Sequence, residues 1–253
     1  MNIFDSHAHY DDEAFDTDRE ALLTSMPNLG VCGIINAGAS MRGCHASVTS
    51  AQQFPFVYAA VGIHPEHADI TPGYLSELET LLAQPKVVAV GEIGLDYHYD
   101  DAPSREQQLR VFAEQLALAN RLQLPVIVHD RDAHGDTMEL LRQYRPKGVL
   151  HCFSGSPEMA KEVLSLGMYI GLGGAVTFHN AKKVKAVADM VPFDRLLTET
   201  DAPYMAPVPL RGKRCDSSMI RYVAEEIAAR RGFSADSLLL QCAENAKKLF
   251  DIS

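Results

Sequence analysis

The sequence predicts an α/β chain folded as one (β/α)8 barrel of the TIM-barrel class, with an additional helix at the C-terminus. Three observations predict it. Eight short apolar runs rich in β-branched residues alternate with amphipathic stretches along the whole chain. The length of 253 residues exceeds the usual domain mode of about 100–150 and matches the roughly 250 typical of such barrels. Finally, there is no linker, low-complexity segment or shift in composition, so residues 1–253 read as a single domain. An open, doubly wound sheet is the alternative. Continuous apolar strands imply a parallel sheet covered on both faces, and eight β/α units in about 200 residues suit closure better.

In chain order, the runs occupy residues 2–5, 31–36, 56–62, 87–92, 125–129, 148–151, 168–172 and 195–199. Each is four to seven residues long and is read as a strand. Between the fourth and fifth runs, Leu109, Phe112, Leu116 and Ala119 recur at three- and four-residue steps, which predicts a helix over residues 105–122. Two further amphipathic segments, residues 217–231 and 235–250, follow the eighth run and supply the last barrel helix and the additional one.

Composition narrows the class further. With 47% hydrophobic and 22% charged residues, the chain is neither disordered nor fibrous. Five cysteines, scattered and without a Cys-x-x-Cys pair, argue against a disulfide framework or a thiolate zinc knuckle. No stretch approaches the roughly 18 apolar residues of a membrane span, and the N-terminus lacks a basic segment followed by a long apolar one, so a cytoplasmic, membrane-free protein is expected. The net charge of −10 disfavours a broad polyanion-binding face; any phosphate must be met by a local feature.

The polar residues that end the runs carry the chemistry. The first run leads into Asp5-Ser6-His7-Ala8-His9, the fourth ends at Gly91-Glu92, the fifth at His129, the sixth at His151, and the eighth leads into Glu199-Thr200-Asp201. In a barrel all strand C-termini open on one face, which carries the active site. Four histidines and two carboxylates are thereby aimed at one mouth. His7 and His9, two residues apart on extended backbone, present their rings on the same side. Burying such groups costs several kcal/mol each unless they are compensated, and a bound cation compensates them together.

Six candidate ligands exceed one tetrahedral site but suit two divalent ions about 3.5–4 Å apart with a bridging carboxylate. The expected bridge is Glu92. One ion takes His7, His9, Glu92 and Asp201, and the other Glu92, His129 and His151. Imidazole donors suit Zn2+, Mn2+, Fe2+ or Co2+. Two such ions point to hydrolysis, with Asp201 also placed to orient or deprotonate water. Cys152, directly after His151, is expected to point the other way and pack in the core. Gly171-Leu172-Gly173-Gly174 reads either as a phosphate cradle or as a tight turn. Arg211, Lys213 and Arg214 form the one dense basic cluster, in the loop after the eighth run, and are candidate substrate-binding residues.

Motifs along the whole length resemble the TatD family of metal-dependent hydrolases, often called TatD-type deoxyribonucleases. They are Asp5-Ser-His-Ala-His9, Gly62-Ile-His-Pro65, Gly91-Glu-Ile-Gly-Leu-Asp-Tyr-His98, Pro125-Val-Ile-Val-His129, His151-Cys-Phe-Ser-Gly155, Thr198-Glu-Thr-Asp-Ala-Pro-Tyr204, Pro209-Leu-Arg-Gly-Lys-Arg214 and Glu244-Asn245. The resemblance implies a (β/α)8 barrel of the metal-dependent hydrolase type. By motif match, its metal ligands fall on His7, His9, Glu92, His129, His151 and Asp201. It also implies Mg2+ or another divalent ion, a single-stranded or damaged DNA substrate, and His64 and His98 near the substrate phosphate. Two departures stand out. Cys215-Asp216-Ser217 follows the basic cluster where the family commonly has Asn-Glu-Pro, and His179 stands where Lys is frequent. The expected activity is a two-metal 3′–5′ exonuclease acting on accessible DNA ends, with no stable protein partner. The rivals are an amidohydrolase-like enzyme cleaving amide, ester or lactone bonds and a non-catalytic metal-dependent scaffold.

Overall fold

A computed structural model describes residues 2–252. Its eight strands are β1 (Ile3–Ala8), β2 (Val31–Gly38), β3 (Val57–Val61), β4 (Val87–Asp96), β5 (Val126–Arg131), β6 (Gly148–Leu150), β7 (Tyr169–Leu172) and β8 (Leu196–Thr198). They lie side by side in sequence order, every ladder parallel. Between β8 and β1 there is no full ladder. Ser6 Oγ donates to the Thr198 carbonyl at 3.1 Å, His9 N–H donates to the Ala202 carbonyl at 2.7 Å, and an Ala8–Ala202 bridge completes a nearly closed barrel. The helices are α1 (Arg19–Ser25), α2 (Met41–Gln53), α3 (Tyr74–Leu82), α4 (Arg105–Leu122), α5 (His134–Tyr144), α6 (Pro157–Ser165), α7 (Lys182–Met190), α8 (Ile220–Arg231) and α9 (Ala235–Phe250).

The period of two along each strand sorts side chains into two cores. One apolar cluster takes a residue from every strand: Phe4, Ile35, Ala60, Ala89, Ile127, Val149, Tyr169 and Leu197. This ring is the barrel interior. It is joined by Ala243, Ala246, Leu249 and Phe250 of α9, the additional helix, which lies against β1 and β8. The neighbouring strand positions, such as Ile34, Val61, Val90, Val128 and Ile170, belong to the larger cluster shared with the surrounding helices.

Helix α4 occupies the predicted span. Ser104 caps it and Gln107 reciprocates in a capping box, while Phe112, Leu116 and Ala119 are buried. Two buried glutamines on the same helix went unread in the sequence. Gln115 brackets Ile63, accepting from its N–H at 2.7 Å and donating to its carbonyl at 3.0 Å; Gln108 does the same for Asp96 at 2.9 and 2.8 Å. One helix thereby fixes the segment before His64 and the end of β4.

Strands β1, β4 and β5 extend past their apolar runs, to residues 8, 96 and 131. His7 and Glu92 therefore lie within strands, whereas β6 stops at Leu150, one residue before His151.

Candidate metal centre

The interior ring sets the site. Two residues beyond Ile127, Val149 and Leu197 stand His129, His151 and Glu199, the first on the same face of β5 and the other two just past the ends of β6 and β8. In β1 and β4 the pairing ladder is irregular between Asp5 and Ala8 and between Val90 and Ile93, the positions where His7 and Glu92 turn inward. Such irregularities re-aim side chains, and here they supply the groups strict alternation would not.

Glu92 is the hub, 3% exposed. Its Oε2 lies 3.2 Å from both His7 Nε2 and His9 Nε2, and these two nitrogens are 3.6 and 3.4 Å from Asp201 Oδ1. Its Oε1 lies 2.7 Å from His151 Nε2, 2.9 Å from His129 Nδ1 and 3.6 Å from His64 Nε2. The six residues named as candidate ligands thus lie in one cluster, with His7 and His9 at one oxygen of Glu92, His129 and His151 at the other, and Asp201 against His7 and His9. His64, expected beside a substrate phosphate, sits inside this cluster with its ring against that of His129.

Outer contacts orient the rings. His9 Nδ1 lies 2.8 Å from the Ala37 carbonyl, and His129 Nε2 is 3.0 Å from Asp96 Oδ2. His151 Nδ1 is not held in this way, its nearest carboxylate oxygen being Glu199 Oε1 at 3.8 Å. The backbone N–H of Asp201 donates to the His7 carbonyl at 3.0 Å, which straps the end of β8 to β1. Holding a ligating imidazole by its second nitrogen fixes its tautomer and orientation.

The electrostatics test whether the cluster suits a cation. Burial works against the charge on Glu92, but His151, His7 and His64 overcome it and hold the carboxyl well below its usual range. Burial lowers His7 to about 4 and His64 to about 3. An ionised carboxylate among neutral imidazoles is the ligating state of such a set. Burial also opposes charge on His9 and His129, yet each is raised, His9 by Asp201 and Glu92 and His129 to about 10 by Asp96 and Glu92. The carboxylates therefore demand positive charge at this point. His7 Nδ1 and His151 Nδ1 are buried without a hydrogen-bond partner. Imidazole and carboxylate donors in this arrangement fit divalent transition ions.

Two carboxyls were missed as site residues. Glu199 is fully buried, its Oε2 has no partner, and burial raises it to about 8. Asp5 is also fully buried and burial raises it to about 6, although it accepts from Thr200 Oγ1 at 2.6 Å and Ser217 Oγ at 2.7 Å. Ser217 belongs to the segment that departs from the family pattern. The loop is nevertheless well anchored: Asp216 Oδ1 accepts from Ser218 N–H at 2.9 Å and Cys215 is buried.

Other expectations change. Cys152 is not a strand residue packed in the core: the β5–β6 ladder ends at Leu150, the chain turns, and Cys152 is only partly buried, with φ of 42° and its N–H donated to Glu199 Oε1. Gly171 and Gly174 are required by close approach: a Cβ at Gly171 would meet Glu199 Oε2, and one at Gly174 the Met205 carbonyl. Arg214 is bound in a forked pair to Asp18, at 2.7 and 2.6 Å, and so is committed to the α1 end of the molecule. Arg211 lies over the Phe178 ring at 3.9 Å, and Lys213 is exposed. His98 is exposed and paired with Asp132 at 2.9 Å, while its N–H donates to Asp96 Oδ1 at 2.8 Å.

A family model described as TatD related DNase matches residues 4–251. The chain belongs to the TatD related DNase family. Among its TatD relatives, the uncharacterized metal-dependent hydrolase YabD of Bacillus subtilis (strain 168) is 41% identical, covering 99% of this chain and 100% of the relative. The 3′-5′ ssDNA/RNA exonuclease TatD of Erwinia tasmaniensis is 32% identical over 99% of this chain and 100% of its own. The crystal structure of YJJV, a TatD homologue from Escherichia coli K12, superposes with a TM-score of 0.93 at 34% identity, covering 99% of this chain and 98% of that one. The protein is thus a TatD family metal-dependent hydrolase with a TIM-barrel fold.

Proposed function

We propose that this protein is a single-domain, divalent-metal-dependent phosphodiesterase that removes nucleotides from the 3′ end of single-stranded or otherwise accessible DNA. The observation that carries the chemistry is Glu92, with one oxygen turned to His7 and His9, which also face Asp201, and the other to His129 and His151. These six residues would hold two ions, of Zn2+, Mn2+ or Mg2+. Bound there, the ions supply Lewis-acid polarisation of the scissile group and make water acidic enough to attack near neutral pH. A nucleic-acid substrate is favoured over an amide by the relatives named 3′-5′ ssDNA/RNA exonuclease, which align over 99% of this chain.

The chain's own groups then have defined tasks. Asp201 is the most exposed carboxylate of the centre, at 21%. Its Oδ1 faces His7 and His9, which leaves Oδ2 to accept a proton from the attacking water. His64, kept neutral by burial, faces the same cluster and is a donor for a phosphate oxygen. Arg211 and Lys213, with His98, supply local positive or hydrogen-bonding groups on a chain whose net charge is −10. Among the described residues no helix is long and apolar enough to cross a membrane; a cytoplasmic site of action without a stable protein partner is part of the proposal.

The test is product mapping with Mn2+ or Mg2+ on single strands labelled at either end, beside a panel of p-nitrophenyl phosphodiesters, amides and lactones. Expected are stepwise shortening from the 3′ end and a loss of about 10²–10⁴-fold in Asp201→Asn. Intact strands together with turnover of an amide or lactone would overturn the reading.

A further inference from the structure

Beyond the metal centre, β5 continues its inward row. Ile127 lines the barrel interior, His129 faces Glu92, and Arg131 follows two residues later on the same face of the strand. At about 3.3 Å per residue, Arg131 stands roughly 7 Å farther towards the mouth than His129, comparable to one nucleotide of backbone.

Arg131 differs from most arginines of this chain. Arg105, Arg121, Arg142, Arg214 and Arg230 each pair with a carboxylate. The carboxylates nearest Arg131 in the β4 and β5 loops are already engaged, Asp96 with His129 and Asp132 with His98, and among the described residues Arg131 forms no ion pair. An aromatic ring holds it instead. Its guanidinium lies over Tyr99 at 4.9 Å, and its Nη1 donates to the Tyr99 hydroxyl at 3.0 Å. Tyr99 is 46% exposed, with the His98 ring edge-on at 4.9 Å. A half-buried, pre-oriented guanidinium without a carboxylate retains its forked donors for an oxyanion, and the aromatic face beside it suits a base.

We propose that Arg131, held by Tyr99, is a phosphate-binding subsite for the non-scissile phosphodiester next to the one cleaved, with Tyr99 as the platform for the adjoining base. The proposal rests on the nucleic-acid reading above. It makes the enzyme prefer a strand with at least one phosphate beyond the reacting one.

The test compares wild type, Arg131→Met, Arg131→Lys and Tyr99→Phe, each checked for folding by circular dichroism. Binding of fluorescein-labelled oligothymidylate is followed by anisotropy, and turnover of the oligonucleotide is measured beside bis(p-nitrophenyl) phosphate, which has no second phosphate. For Arg131→Met, the ratio of kcat/KM on the oligonucleotide to that on the small diester should fall about tenfold, and the Kd should rise by a similar factor. The salt dependence of log Kd should become shallower by about 0.7, one single-strand phosphate contact. Arg131→Lys should keep the salt slope while losing part of the affinity, and Tyr99→Phe should weaken binding without removing it. An oligonucleotide cleaved by wild type with a ratio and Kd that Arg131→Met leaves unchanged overturns the subsite alone. If wild type binds strands without cutting them, the Arg131 dependence of Kd still decides the subsite while the exonuclease reading fails. Wild type that neither binds nor cuts overturns both.

Discussion

Replacing Gly171 by Ala tests how the Glu199 side of the centre is packed. Gly171 does not adopt a left-handed φ, so alanine suits its backbone; at a compatible position Gly→Ala stabilises by about 0.4–1 kcal/mol. Here the added Cβ would meet Glu199 Oε2 and lie 3.1 Å from the His151 Cα. Glu199 is fully buried and His151 Cα is backbone, so neither can swing into solvent. Overpacking of this kind costs about 1–3 kcal/mol, and at about 2–4 °C per kcal/mol the melting temperature should fall by roughly 2–12 °C. The assay is thermal unfolding followed by circular dichroism on a double-mutant cycle. In a Glu199→Ala background the nearer obstacle is gone and only the tight approach to the His151 Cα remains, so the penalty for Gly171→Ala should shrink, a coupling of about 0.5–3 kcal/mol. A melting temperature that Gly171→Ala raises, or a penalty equal in both backgrounds, would refute the reasoning.

Three further outcomes follow from the same geometry. Asp96→Asn, which alters the partner of His129 Nε2 without touching Glu92, should weaken metal binding by about 10–100-fold in a competition titration while the fold is retained. Gln115→Ala removes the acceptor of Ile63 N–H and the donor to its carbonyl, two buried backbone groups; urea unfolding should show a loss of about 1–3 kcal/mol per group left unsatisfied. Chelation should lower thermal stability as well as activity, because a ligand at 100 times its Kd stabilises the folded state by about 2.7 kcal/mol.

All eight strands were legible in the sequence, in order, because a parallel barrel buries both faces of each strand and leaves uninterrupted apolar runs. The ends were less legible. β4 continues through Glu92 to Asp96 and β5 through His129 to Arg131, since backbone pairing persists where the side chains turn polar to serve the mouth. That the six candidate ligands would cluster was legible for the same reason: they stand where apolar runs give way to imidazole and carboxylate.

What the sequence concealed were the residues acting across the fold. Gln115 meets Ile63 from 52 positions away and Ser217 meets Asp5 from 212, separations that leave no periodic mark. Glu199 was visible beside Asp201, but only the barrel shows it buried against His151 and Gly171. Arg214 illustrates the converse. It stands in the basic cluster of the sequence, yet its charge is answered by Asp18, 196 residues earlier.

The central claim is that the two oxygens of Glu92 join two groups of ligands. Titration of metal-stripped protein with Mn2+, followed by calorimetry and elemental analysis, tests it most directly. Wild type should take up about two ions per chain, and Glu92→Gln should lose tight binding at both positions while remaining folded. Uptake of a single ion by wild type, or full uptake by Glu92→Gln, would contradict the account.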